Sequence, residues 1–184
     1  MWLVRESAVF LRDGLPSRIA KVIIYRRIGL RVGFGLRKFL SMKIDITLLD
    51  ELTAQAQASP RLRMNMDLRN SAADTSQRML NAIEPGSVVP IHRHQKTSET
   101  VVVLRGRVVQ YLYDDEGRET GSVLLAPLGA GCHVADGPCN DMEAVPAMQV
   151  EMGQWHRIES LESGTVILEM KDGAYEPIGE EDIL

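Results

Sequence analysis

The stretch "PGSVVPIHRHQKTSETVVVLRG", residues 85–106, holds two of the chain's four histidines with one residue between them, and a carboxylate, Glu99, five residues past the second. Read as a strand, residues 88–94 put His92 and His94 on one face, because side chains two apart leave the same side with Cα atoms roughly 6.6 Å apart. Two imidazoles at that spacing can converge on one metal lying about 2 Å from each ring nitrogen. Arg93 points the other way. The turn "QKTS" (95–98) is expected to reverse the chain into the next strand and return Glu99 beside the histidines, so that hairpin geometry gathers three ligands.

A metal in a deep barrel calls for a fourth group, and "EMGQWHRIES" (151–160) offers one: Gly153 makes a turn and His156 begins the strand after it. Three imidazoles and one carboxylate form a mixed nitrogen and oxygen site suited to Mn, Fe, Ni, Cu or Zn. The expected cofactor is therefore one divalent transition metal on His92, His94, Glu99 and His156. One or two coordination positions stay open, which separates a catalytic or binding metal from a structural one.

Around this stretch the pattern is that of many short strands. "RLRMNMDLR" (61–69) alternates throughout, with Leu62, Met64, Met66 and Leu68 on one face and Arg61, Arg63, Asn65, Asp67 and Arg69 on the other. The polar face meets either water or a lined cavity. Further strands are expected at about 76–83, 98–105, 107–113, 119–126, 147–152, 155–160 and 164–171, with Asp114, Asp115, Glu116 and Gly117 forming a hairpin turn. Turn signals at this rate mean a sandwich or barrel. "LGAGCHVADGPCNDMEAVPA" (128–147) breaks the rhythm and reads as an inserted loop; its Cys132, His133 and Cys139 match no zinc spacing. Before the strands, "DITLLDELTAQAQASP" (45–60) predicts one short amphipathic helix, capped by Thr47 with Asp50 at its third position and stopped at Ser59-Pro60.

Charge is divided along the chain. Residues 1–41 carry a local charge of +7 and the remainder −11, which gives the net −4. An acidic body excludes a nucleic-acid groove, which needs a basic stripe against phosphates. No run of 18 apolar residues exists to span a membrane, and two cysteines make no disulfide framework, so a reducing, cytoplasmic home is the default. Glycines and Pro16 interrupt the basic segment 1–41. Two readings of it stand, a surface-lying membrane segment or sequence upstream of a start at Met42, and in both the fold is confined to residues 42–184.

The spacing of Gly86, His92, His94, Glu99 and Gly106 resembles the first motif of the cupin superfamily without a deviation, and Gly153 with His156 resembles part of the second. Glu151 and Ser160 depart from it, standing where the family usually has Pro and Asn. More narrowly, residues 42–184 resemble the WbuC family of cupin-fold metalloproteins through "RLRMNMDLR", "SQRMLNAIEPG", "IHRH", "TSETVVVLRG", "YDDEGR", "GQWH", "ESLESGTVILEMKDGAYEP" and "EEDIL". The resemblance implies a mainly β fold: a cupin barrel, or double-stranded β-helix of jelly-roll type, with one short N-terminal helix. It also implies that Asn65 and Arg69 line the site and that Glu169 and Lys171, which share a strand face, contribute to binding substrate. Tyr175 reads as a packing residue.

Inward arginines would favour an anionic ligand, since a guanidinium grips carboxylate or phosphate through two parallel hydrogen bonds. The WbuC resemblance associates the chain with surface polysaccharide (O-antigen or capsule) metabolism. The function expected is a metal-dependent isomerase, oxygenase or hydrolase acting on a small anionic, sugar-derived molecule. The alternative is a non-catalytic, metal-dependent binding or regulatory module, and an adjacent general acid or base would discriminate the two. The resemblance also allows a homodimer.

Overall fold

The computed structural model of the protein describes residues 42–130 and 143–184. The basic segment 1–41 and Cys132, His133 and Cys139 lie outside the described residues. Residues 43–184 form one compact unit.

The helix comes first. Helix α1, Ile46–Ala58, is capped by Asp45, whose carboxylate accepts from the Leu48 amide, so the cap lies two residues before the expected Thr47. Ser59 ends it as predicted. Leu49, Leu52 and Ala56, at helical spacing, are buried against one face of a sheet.

Among the described residues eight strands follow: β1 Arg63–Asp67, β2 Gln77–Ile83, β3 Glu99–Arg105, β4 Val108–Tyr113, β5 Glu119–Leu125, β6 Ala147–Val150, β7 Trp155–Ser160 and β8 Thr165–Lys171. They form a five-stranded sheet in the order β1-β2-β8-β3-β6 and a three-stranded sheet in the order β5-β4-β7, antiparallel throughout. The pairing is nested. β3 lies beside β8 in one sheet and β4 beside β7 in the other, so the chain runs out through both sheets and returns alongside itself. This wraps the apolar inner faces, among them Val101, Val103, Val108, Leu125 and Ile167, into a barrel interior.

The outer face of the large sheet carries α1: Leu80, Ala82 and Val166 meet Leu49, Leu52 and Ala56, with Met64, Met66 and Leu68 at the edge. Arg105 ties the helix down, donating to the Gly164 carbonyl (2.7 Å), the Leu49 carbonyl (3.1 Å) and Thr53 Oγ1 (2.6 Å) while pairing with Asp50 (2.6 Å). The next residue, Gly106, must be glycine. Its φ is +78°, and a Cβ there would stand 2.2 Å from Thr165 Oγ1 and 2.8 Å from Thr165 Cα.

Residues 88–94 depart from expectation. They form no strand: His92 alone makes isolated bridges, to His156 and to Ile183. Pro90 has no N–H to give to a ladder, which prevents regular pairing there. The segment runs beside β7, where the His92 and His156 amides and carbonyls exchange bonds of 2.9 and 2.8 Å. The C-terminal residues close its other side, with Arg93 N donating to the Asp182 carbonyl and Leu184 N to that of Ile91. No hairpin therefore joins residues 88–94 to β3, whose neighbours are β8 and β6.

Candidate metal centre

The four predicted ligands nevertheless meet, from across the barrel. His92 and His94 come from the segment lining β7, His156 from β7 itself, and Glu99 from the start of β3 in the opposite sheet. One ligand atom from each lies within 4.8 Å of the others. The ring centroids of His92 and His156 are 4.4 Å apart, and those of His94 stand 5.1 and 5.5 Å from them. Gly153, at φ +80°, makes the turn before β7, and its amide donates to the His94 carbonyl, which fixes the two histidine segments together.

Backbone carbonyls set the tautomers. Nδ1 of His156 lies 2.8 Å from the Gln154 carbonyl and Nδ1 of His92 lies 3.0 Å from that of Pro90. A carbonyl only accepts, so each Nδ1 carries the proton and each Nε2 presents a lone pair. His156 is 2% exposed, and its Nε2 has no hydrogen-bond partner among the described residues; Glu99 Oε2 is 3.7 Å away. A buried basic nitrogen left in this way is what a cation would satisfy. His94 Nε2 meets the same Oε2 at 3.0 Å, and a cation shared by the two atoms would replace the proton between them. The donor set fits a divalent transition metal, held by His92, His94, Glu99 and His156.

The surroundings favour an ionised Glu99. Burial alone would push its carboxyl up, but the bonded His94 imidazole and the Lys171 ammonium hold it well below the usual carboxylate range. Burial and the neighbouring His156 lower His92 to about 4. Lys171 Nζ stands 3.2 Å from Glu99 Oε2 and 2.8 Å from Glu169 Oε1. Burial opposes its charge, yet the two carboxylates keep its pKa above the ordinary value. Glu169 moves the other way, raised by burial and by the charge of Glu99.

The cluster opens into a cavity of about 530 Å³ between the sheets. Of the residues expected to line it, Asn65, Glu169 and Lys171 do. Arg69 is placed elsewhere: it lies outside the lining, bonded through its guanidinium to Asp67 (2.8–3.0 Å) and resting 5.5 Å from the Tyr175 ring. Tyr175 is no packing residue but an exposed part of the cavity rim. The arginines that do reach the cavity are Arg61 and Arg63, and among the described residues neither forms an ion pair. Burial and the adjacent Arg61 lower Arg63 from the ordinary arginine value. The inward direction of Arg63 follows from β1, whose apolar side faces the helix cluster, while Arg61 reaches the cavity from the turn before the strand.

Two lining residues escaped the sequence reading. Asn81 donates to Glu169 Oε2 at 2.7 Å. Gln110, 1% exposed on β4, has no partner among the described residues for either amide atom. A polar residue inside the otherwise apolar run of β4, between Val108 and Leu112, is the signal that could have found it.

A family described as a domain of unknown function (DUF6016) matches residues 44–125, from α1 through β5. No curated protein matches in sequence. Among solved structures, KdgF from Halomonas sp. is similar at 12% identity, over 64% of this chain and 84% of its own, with a TM-score of 0.42. The capsular polysaccharide assembling protein CapF from Staphylococcus aureus is similar at 18% identity, over 61% of this chain but 27% of its own, with a TM-score of 0.44. An oxalate oxidase in complex with the substrate analogue glycolate is similar at 12% identity, over 67% of this chain and 57% of its own, with a TM-score of 0.47. With its nested two-sheet topology, single N-terminal helix and convergent histidine and glutamate set, the fold of residues 43–184 is the mainly β cupin barrel that the first motif implies.

Proposed function

We propose that the protein is a metal-dependent enzyme acting on a small anionic, sugar-derived molecule, within the WbuC family and in surface polysaccharide (O-antigen or capsule) metabolism. The observation that carries this reading is the cluster of His92, His94, Glu99 and His156, opening into a cavity with two arginines that form no ion pair among the described residues, one of them, Arg63, donating to the Val88 carbonyl. The metal, when bound, supplies Lewis-acid polarisation of a substrate oxygen. Arg61 and Arg63 orient the anionic group through their guanidinium forks. Asn65 and Asn81 offer hydrogen bonds to hydroxyls along the cavity wall.

An enzyme needs a proton-transfer group that a binding module does not, and Glu169 supports the first reading. Its carboxyl is buried one strand-face position from Lys171, is raised above the ordinary range, and reaches the cavity beside the ligands. Lys171 balances the charge of Glu99 and Glu169, which otherwise repel across the cavity. We place the protein in the cytoplasm, in keeping with its two cysteines, and allow a homodimer.

The test is a turnover screen of Mn²⁺-loaded protein with glucose 6-phosphate, fructose 6-phosphate, gluconate and glucuronate, followed by proton NMR. Consumption of one of them by wild type, with kcat at least about 100-fold lower in Glu169→Gln at unchanged Mn²⁺ content, is the expected result. Binding without turnover by wild type would favour the binding module instead.

A further inference from the structure

Gln110 sits on the central strand of the small sheet, opposite Val123 on β5 and Ile158 on β7. His156 is two residues before Ile158 on β7, so both face the interior and Gln110 stands one pleat from the metal cluster. Its side chain lines the cavity together with Ile158, Ile167 and Ile83. It is 1% exposed, and among the described residues neither the amide oxygen nor the amide nitrogen has a partner. Buried polar atoms are normally paired, and a purely structural role here would be served better by an apolar side chain of the same shape. The fold around it gives no use for an amide, since its wall neighbours are aliphatic.

We infer that Gln110 is a specificity-determining residue that reads an uncharged hydroxyl of the ligand, one that both donates and accepts, next to the oxygen held at the metal. The inference rests on the metal reading above and narrows its substrate class to a hydroxylated chain rather than an aliphatic acid. A neutral amide offers a donor and an acceptor together, which matches a hydroxyl. The residues that would meet charge lie elsewhere on the cavity wall, Arg61 and Arg63 on the β1 side and Lys171 beside Glu99.

The experiment compares wild type with Gln110→Met, both loaded with Mn²⁺, in calorimetric titrations with D-gluconate and with hexanoate, alongside thermal unfolding. Wild type is expected to bind gluconate at least tenfold more tightly than hexanoate. Gln110→Met is expected to lose that preference while its Mn²⁺ affinity stays within about twofold, because the metal ligands are untouched. Its Tm should equal the wild-type value or rise by about 2–4 °C, because an unpaired buried amide has been removed. A lower Tm would make Gln110 a structural residue and overturn the inference. So would a preference that survives the substitution, or a wild type that takes hexanoate as readily as gluconate or takes neither. A wild type that binds no Mn²⁺ would instead overturn the metal reading, and this inference with it.

Discussion

The two faces of the five-stranded sheet are built from the same strands and to opposite ends. On the outer face Leu80, Ala82 and Val166 are sealed under Leu49, Leu52 and Ala56. On the inner face β2 and β8 turn Asn81, Glu169 and Lys171 toward a cavity, although burial raises Glu169 and opposes the charge on Lys171. Strand alternation makes this division of labour available, since neighbouring residues on one strand serve different solvents. The outer face stabilises the barrel through apolar burial, at roughly 1.5–3 kcal/mol for each large aliphatic side chain. The inner face spends part of that stability on buried charge: the contacts of Lys171 with Glu99 and Glu169 outweigh its own burial, while Glu169 stays raised despite its bonds to Lys171 and Asn81.

The contrast can be broken at either face. Leu52→Ala, at a residue 1% exposed under the helix, should cost about 2–5 kcal/mol in denaturant unfolding and leave the metal affinity of the folded fraction unchanged. A loss of metal affinity in that variant would mean that the faces are coupled. The cavity that the inner face lines should respond to pH instead, through His92 on the opposite wall. Burial lowers His92 from the ordinary imidazole value to about 4, so the unfolded chain binds its proton more readily than the folded one. Its contribution is fully present above about 6.5 and is lost as pH falls toward 4. Thermal unfolding of the metal-free protein should show this decline, and His92→Asn should flatten it. A slope unchanged by that substitution would place the titration elsewhere.

What the sequence made legible follows the same division. The strands after residue 76 were readable because alternation is a local property, and the observed β2, β3, β7 and β8 fall within a residue of their expected bounds. The ligand spacing was readable because motif residues report a shared chemical task. The route by which those ligands meet was not. Pro90 is a local signal against a ladder at 88–94 that the strand reading passed over, but nothing local tells that His92 pairs with β7 and with Ile183 rather than with β3. The choice between Arg61 with Arg63 and Arg69 also depended on tertiary detail. β1 ends at Asp67, and Arg69 then folds back onto that carboxylate. At the start of the same strand, Leu62 takes φ +54° to close the turn after the helix, which sets where the alternation begins to face the cavity.

The measurement to make first is elemental analysis of the untagged protein, purified without added metal, for wild type and His94→Ala. About one Fe, Mn, Ni, Cu or Zn per chain in wild type, with the variant reduced at least about 100-fold in affinity, is the expected result. A wild type that carries no metal and takes up none on titration would contradict it, and would leave the cluster of His92, His94, Glu99 and His156 without the ion that its unpartnered buried nitrogen implies.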